Sequence, residues 1–322
     1  MPRDTNNQNP DSQWRAGILF ISPWAIGFAL FFVWPFAASL YWSFCQYDMV
    51  NPPVWIGGEN YVRLLDDIQT GNGFGNAISN TIYYAVISVP ASVVLGVGLA
   101  LLLSVPLRGQ TVYRTLVFLP SVIPIVAASV LWIWLLNPEN GVINDLLSWL
   151  QLPPQNWLNQ SRSAFTTEGF TLWPNGKIFG SKDALVLMSL WGVGNFVVIY
   201  LAAISDIPDS LHEAAELDGA NSWRRVLHIT LPMLTPVIFF NLVMGLIRSV
   251  QEFTSIYVVS EGTGEPGGSL TMISLQMFLS GFDDLELGYA SAMAWVLFLL
   301  LTISTYLLFK TSSFWVHYRL TS

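Results

Sequence analysis

Arg248, Gln251 and Glu252 stand inside the apolar run 233–259, where polar side chains are out of place. A charge held within a membrane span costs roughly 3 kcal/mol, so such a residue faces a partner group, a water-filled cavity or a solute. Arg248 and Glu252 are four residues apart, so a helix puts them on one face, where they can pair. Two readings stay open. Either the pair closes a seam between helices, or the three residues line a path for a solute. Asn195 and Tyr200 in the run 184–205, Asn241 in the run 233–259, and Trp295 in the run 289–309 add amide, hydroxyl and ring groups. Amides and hydroxyls hydrogen-bond a polar solute, and aromatic rings offer it a flat face. Each of these residues can equally serve as packing or as an interhelical hydrogen bond.

Residues for other chemistry are missing. There is no phosphate loop: Gly176-Lys177 is followed by Ile178, and Thr171 stands where the first glycine would be. There is no His-Glu-x-x-His pair and no Gly-x-Ser-x-Gly elbow. His212, His228 and His317 are scattered without metal-ligand spacing, so no metal site is expected. Cys45 is the single cysteine, which rules out an intrachain disulfide. No catalytic residue is expected. If the chain takes part in ATP-driven transport, hydrolysis belongs to another chain.

The elements that position these residues follow from composition. Of 322 residues, 53% are hydrophobic and only 11% are charged. That is a membrane composition, so the net charge of −8 does not describe a soluble acidic surface. Apolar runs lie at about 16–44, 80–104, 115–136, 184–205, 233–259 and 289–309. Each is long enough to span a bilayer as a helix. The expected fold class is all-α, a polytopic membrane protein with about six transmembrane helices. The expected division is a tail over 1–15, a membrane domain over 16–310 and a second tail over 311–322. Arg3, Arg15, Arg108, Arg114, Arg224, Arg225, Lys310 and Arg319 fall in connections on one side of this scheme. Arg63, Arg162, Lys177 and Lys182 fall in the longer loops of the other. The excess of positive charge in short loops places the first side, and both termini, in the cytoplasm.

The same scheme places the connection 206–232 in the cytoplasm. Pro208, Asp209 and Ser210 form a helix start with a capping side chain, and Leu211, Ala214, Ala215 and Asp218 recur at helical spacing. Gly219 can take the left-handed conformation that ends a helix. A second short helix follows, and Pro232 is expected to break it before the next apolar run. The residues alone allow an amphipathic connector at the membrane surface as readily as a docking segment.

A resemblance favours the docking segment. Glu213-Ala214-Ala215, then Asp218-Gly219-Ala220, then Ile229 and Leu231-Pro232 resembles the "EAA" loop of binding-protein-dependent ABC importer permeases. Val226 departs from the pattern, which usually has an aromatic residue there. Ser22-Pro23, Trp34-Pro35, Trp55 with Gly57 and Asn60-Tyr61, Asn80-Thr81, and Arg114 with Phe118-Leu119-Pro120 look like the carbohydrate branch of that family. So do Trp132 near Asn140-Gly141, and Gly288-Tyr289-Ala290-Ser291-Ala292. The chain is similar to the first of two paired permeases of the maltose and glycerol-phosphate transporter type.

The resemblance implies a complex. Its expected partners are a second permease, two ABC ATPase subunits that carry ATP and Mg, and an extracytoplasmic solute-binding protein. A carbohydrate crosses, and the location is the inner or cell membrane of a bacterium or archaeon. No nucleic acid is expected, and no cofactor sits on this chain. The segment 206–232 becomes the coupling helix, with Leu211, Glu213, Ala214, Ala215, Asp218, Gly219 and Ala220 as its ATPase-facing residues. A permease for glycerol 3-phosphate or a related polyol is the alternative, since Arg248 suits an anion if it is unpaired. A stand-alone secondary transporter is the rival of a different class; it would need its own ion-coupling carboxylates, and Glu252 is the one acid deep in a span.

Overall fold

The computed structural model describes residues 10–106, 108–161 and 179–317, with the side chains of 10–13 and 16 excepted. Arg3, Arg162, Lys177, Arg319 and most of the segment 155–182 lie outside the described residues.

α1 (Pro10–Phe28) runs through a π-type turn, Ala29–Val33, into α2 (Trp34–Trp42). Together they give an apolar rod, Gly17–Trp42, unbroken by Pro23 or Pro35. The π-type turn just ahead of Pro35 takes up its missing N–H. A short antiparallel ribbon follows, β1 (Cys45–Gln46) against β2 (Val54–Trp55), then α3 (Glu59–Thr70). α4 (Gly73–Ser104) has 32 residues and is about 48 Å long at 1.5 Å per residue. α5 (Gln110–Phe118) and α6 (Ile125–Leu135) meet at a bend of 100° beside Pro124. α7 (Val142–Trp149) is short. α8 (Ser181–Trp191) and α9 (Gly194–Ser205) meet at 45°. α10 (Asp209–Leu217) and α11 (Ser222–Arg225) lead into α12 (Leu231–Val250), and α13 (Thr254–Val259), α14 (Ile273–Phe278) and α15 (Leu287–Trp315) complete the chain.

Among the described residues four helices are long and apolar enough to cross a membrane, or six if each bent pair is one span. That agrees with the expected number, but three boundaries move. The second span starts at Gly73, seven residues before Asn80. The fifth run is not one helix: α12 stops at Val250 and α13 starts at Thr254. Pro232 does not break the chain either, because Ser222–Val250 is one continuous helix. A π-type turn, Val226–Thr230, widens the backbone just before Pro232 and removes the conflict with its ring.

The core is built around α4. Its outermost turns join Phe74 and Ala77 to Leu64 of α3, Ile273 of α14 and Met293 of α15. Tyr84 meets Leu185 of α8 and Ile256 of α13. Val97, Ala100 and Leu103 meet Val197 and Tyr200 of α9 and Leu234 of α12. Gly96 lies against the Tyr200 ring, where an added Cβ would sit 3.0 Å from a ring carbon. Side-chain volume is thus excluded there and the α4–α9 seam stays tight. The order of contacts also defines two ends. Leu234, just after the 209–230 segment, packs on the C-terminal part of α4. Asn76 and Asn80, near its start, donate to the carbonyls of Gly268 and Thr271 in the loop between α13 and α14.

Candidate functional site

Two features stand out at opposite depths. The first is the segment from Asp209 to Thr230, at the end of the bundle to which α4 points. No residue of α10 is buried. Its start has no side-chain cap: Pro208 is the N-cap residue, and Asp209 falls in the first turn, where its charge favours the helix N-terminus electrostatically. Its finish follows the expectation for Gly219, which has φ +79°. The Gly219 N–H donates to Glu216 O at 3.0 Å and the Ala220 N–H to Ala215 O at 2.9 Å, the paired bonds of a Schellman cap. Asn221 then caps α11, its side chain accepting from the Arg224 N–H at 2.9 Å. An Arg225–Glu216 ion pair ties the two helices together. The turn is therefore a fixed corner, and α11 continues without interruption into α12.

Leu211, Glu213 and Ala214 are exposed on α10 and Asp218 is exposed at its C-cap, while Ala215 and Ala220 are half-buried. Leu217, absent from the sequence-derived set, is 90% exposed, and Trp223 is 68% exposed. Leu217 precedes Asp218 and follows the Glu-Ala-Ala triplet, so its helical neighbours at three and four residues, Glu213 and Ala214, were the available signal.

The second feature is a cavity of about 310 Å³ between α4, α6, α8, α9 and α12, a volume in the range of small-molecule sites. Gly245 of its wall abuts Val89, which lies midway along α4. Of the sequence-predicted residues, Asn195, Arg248 and Glu252 line it. Ser88, Ser92, Ser121 and Ser249 add hydroxyls, and Trp132 and Trp191, ring centroids 5.8 Å apart and edge to face, add an aromatic wall. Ser88 and Ser92 share a face of α4 at helical spacing, a pattern open to reading in the sequence. Ser121 and Trp132 are brought in only by the 100° bend, which no local pattern announces.

The Arg248–Glu252 pair does not form. α12 ends at Val250, so Glu252 lies beyond the helix and off the face that carries Arg248. Its carboxylate accepts from the Ser255 N–H at 3.2 Å, and its backbone carbonyl accepts from the Ser274 hydroxyl. Arg248 has no carboxylate partner among the described residues; its guanidinium lies 5.7 Å from the Phe196 ring centroid.

The remaining predicted residues lie elsewhere. Gln251 lines a separate, mainly apolar groove with Phe253, Met277 and Phe278. Tyr200 and Asn241 are buried in the seam of α4, α9 and α12, near each other but outside hydrogen-bond geometry. Trp295 packs on Phe36 and Phe298, and its indole N–H donates to the Ser39 hydroxyl at 3.3 Å. These three close helix seams in this structure.

Residues 92–317 match the family described as "Binding-protein-dependent transport system inner membrane component", a stretch that takes in the 209–230 segment and all of the cavity wall except its α4 residues Tyr84, Ser88 and Val89. The chain belongs to this family. A probable ABC transporter permease protein of Bacillus subtilis, YesP, is 39% identical to this permease over 94% of this chain and 92% of its own length. The sulfoquinovosyl glycerol transport system permease SmoG of Agrobacterium fabrum is 33% identical over 88% of this chain and 85% of its own. Among solved structures, a bacterial alginate ABC transporter in complex with alginate-pentasaccharide-bound periplasmic protein has a chain of the same fold. Its TM-score is 0.74 at 24% identity, covering 94% of this permease and 95% of that chain.

Proposed function

We propose that this chain is a permease subunit of an ATP-driven importer for a carbohydrate, and that it forms the translocation path with a second permease. The observation that carries the reading is the exposed, rigidly cornered segment Asp209–Thr230, fused through an unbroken helix to the wall of a hydroxyl- and indole-lined cavity. Relatives described as permeases for lactose, trehalose/maltose and starch degradation products support the substrate class. The segment docks on one of two cytoplasmic ATPases, which bind ATP and Mg; this chain hydrolyses nothing. Glu213 has no ion-pair partner among the described residues and meets a basic group of the ATPase. Leu211, Ala214, Leu217 and Asp218 form the docking face, and Ala215, Gly219 and Ala220 fix its corner. The excess of Arg and Lys in the connections at this end supports a cytoplasmic location for it and for both termini. A solute-binding protein delivers the sugar at the opposite face.

Affinity purification from the native membrane tests the assembly. An ATPase and a second permease should co-elute, and uptake in proteoliposomes should require both ATP and the binding protein. Uptake by this chain alone, driven by an ion gradient, would replace the reading with that of a secondary transporter.

A further inference from the structure

We infer that the cavity takes a saccharide bearing an anionic group, with Arg248 as its counter-charge; this rests on the permease reading above. Three observations converge. Arg248 lies in a helix apolar and long enough to cross a membrane, yet no described carboxylate neutralises it. It is exposed on the cavity wall, with its guanidinium 5.7 Å from the Phe196 ring centroid. The one acid of the same wall, Glu252, is set apart by the end of α12 and held by the Ser255 N–H. A guanidinium facing a cavity attracts an anion and offers a planar fork of donors to a carboxylate, sulfonate or phosphate. The other lining groups suit the rest of a sugar. Glu252 and Asn195 accept from hydroxyls, the serines do both, and the Trp132–Trp191 wall offers a ring face. A neutral sugar would bring no group of opposite charge to Arg248.

The test uses the complete transporter in proteoliposomes with matched solutes: a uronic-acid disaccharide, its carboxyl-reduced neutral counterpart, a sugar sulfonate and a sugar phosphate. An acidic solute should stimulate ATP hydrolysis at least tenfold more effectively than a neutral one, and the best of the acids identifies the anionic group. Arg248→Gln should raise KM for that acid tenfold or more, and Arg248→Lys should recover part of the loss. Equal stimulation by the acid and its neutral counterpart, no response to any acid, or an Arg248→Gln defect that is the same for acid and neutral solutes would each overturn the inference. The wild-type preference stands as a test even if the variants fail to assemble. The outcomes are separable from those of the parent reading: a neutral-sugar importer with a co-eluting ATPase loses the anion and keeps the permease.

Discussion

Gly219 and Asn144 show how single residues set geometry here. At φ +79° a side chain with a Cβ is strained by about 1 kcal/mol or more, so Gly219→Val should loosen the corner between α10 and α11. Hydrogen exchange at the Gly219 and Ala220 amides should quicken, because the Schellman bonds weaken. Asn144 is a hub: its amide donates to Pro138 O and Gln155 O, and its oxygen accepts from the Gln155 N–H and the Trp157 indole. Asn144→Ala leaves two donors unpaired, a cost of roughly 2–4 kcal/mol. Limited proteolysis of the 137–161 segment should then be several-fold faster than in the wild type. The sequence marked Gly219 because glycine after a periodic run has a specific conformational meaning. It did not mark Asn144 or the Asn221 cap, because an asparagine in a polar stretch carries no signal until its partners are in place.

The elements were legible as apolar runs and obscure at their joints. The runs at 80–104 and 289–309 became α4 and α15 with small shifts, since length and hydropathy decide them. The breaks at Pro124, Gly192 and Gln251 depend on packing across helices, which a one-dimensional pattern does not contain. Pro232 misled in the opposite direction, because a π-type turn of five residues absorbed it. The missed break at Gln251 mattered most: of the two open readings it removed the Arg248–Glu252 pair, leaving Arg248 without a carboxylate partner among the described residues, and it moved Gln251 out of the cavity. Close approach of α4 and α9 at Gly96 gives an element-scale prediction. Gly96→Leu overpacks against Tyr200 and should cost about 1–3 kcal/mol, read as a lower melting temperature of the purified complex.

At the scale of the whole molecule, this chain has the form of one part of a larger machine. It has a cavity wall, an exposed helical corner over 209–230 and long exposed apolar faces. Across the hydrophobic window of Gly17–Trp42 no residue is buried, so this rod meets lipid or another chain over most of its surface. The pattern of charges, the apolar runs and the 213–232 motif carried the architecture in the sequence; the cavity depended on the bends and was assembled only in three dimensions. On the proposed function, motion of an ATPase reaches the cavity through the corner at Gly219 and the continuous helix behind it. The most direct test is solute-stimulated ATP hydrolysis by the complete reconstituted transporter carrying Gly219→Pro, whose ring cannot adopt a positive φ. The account predicts at least a tenfold loss of stimulation while all subunits still co-elute; stimulation and uptake at wild-type rates would contradict it.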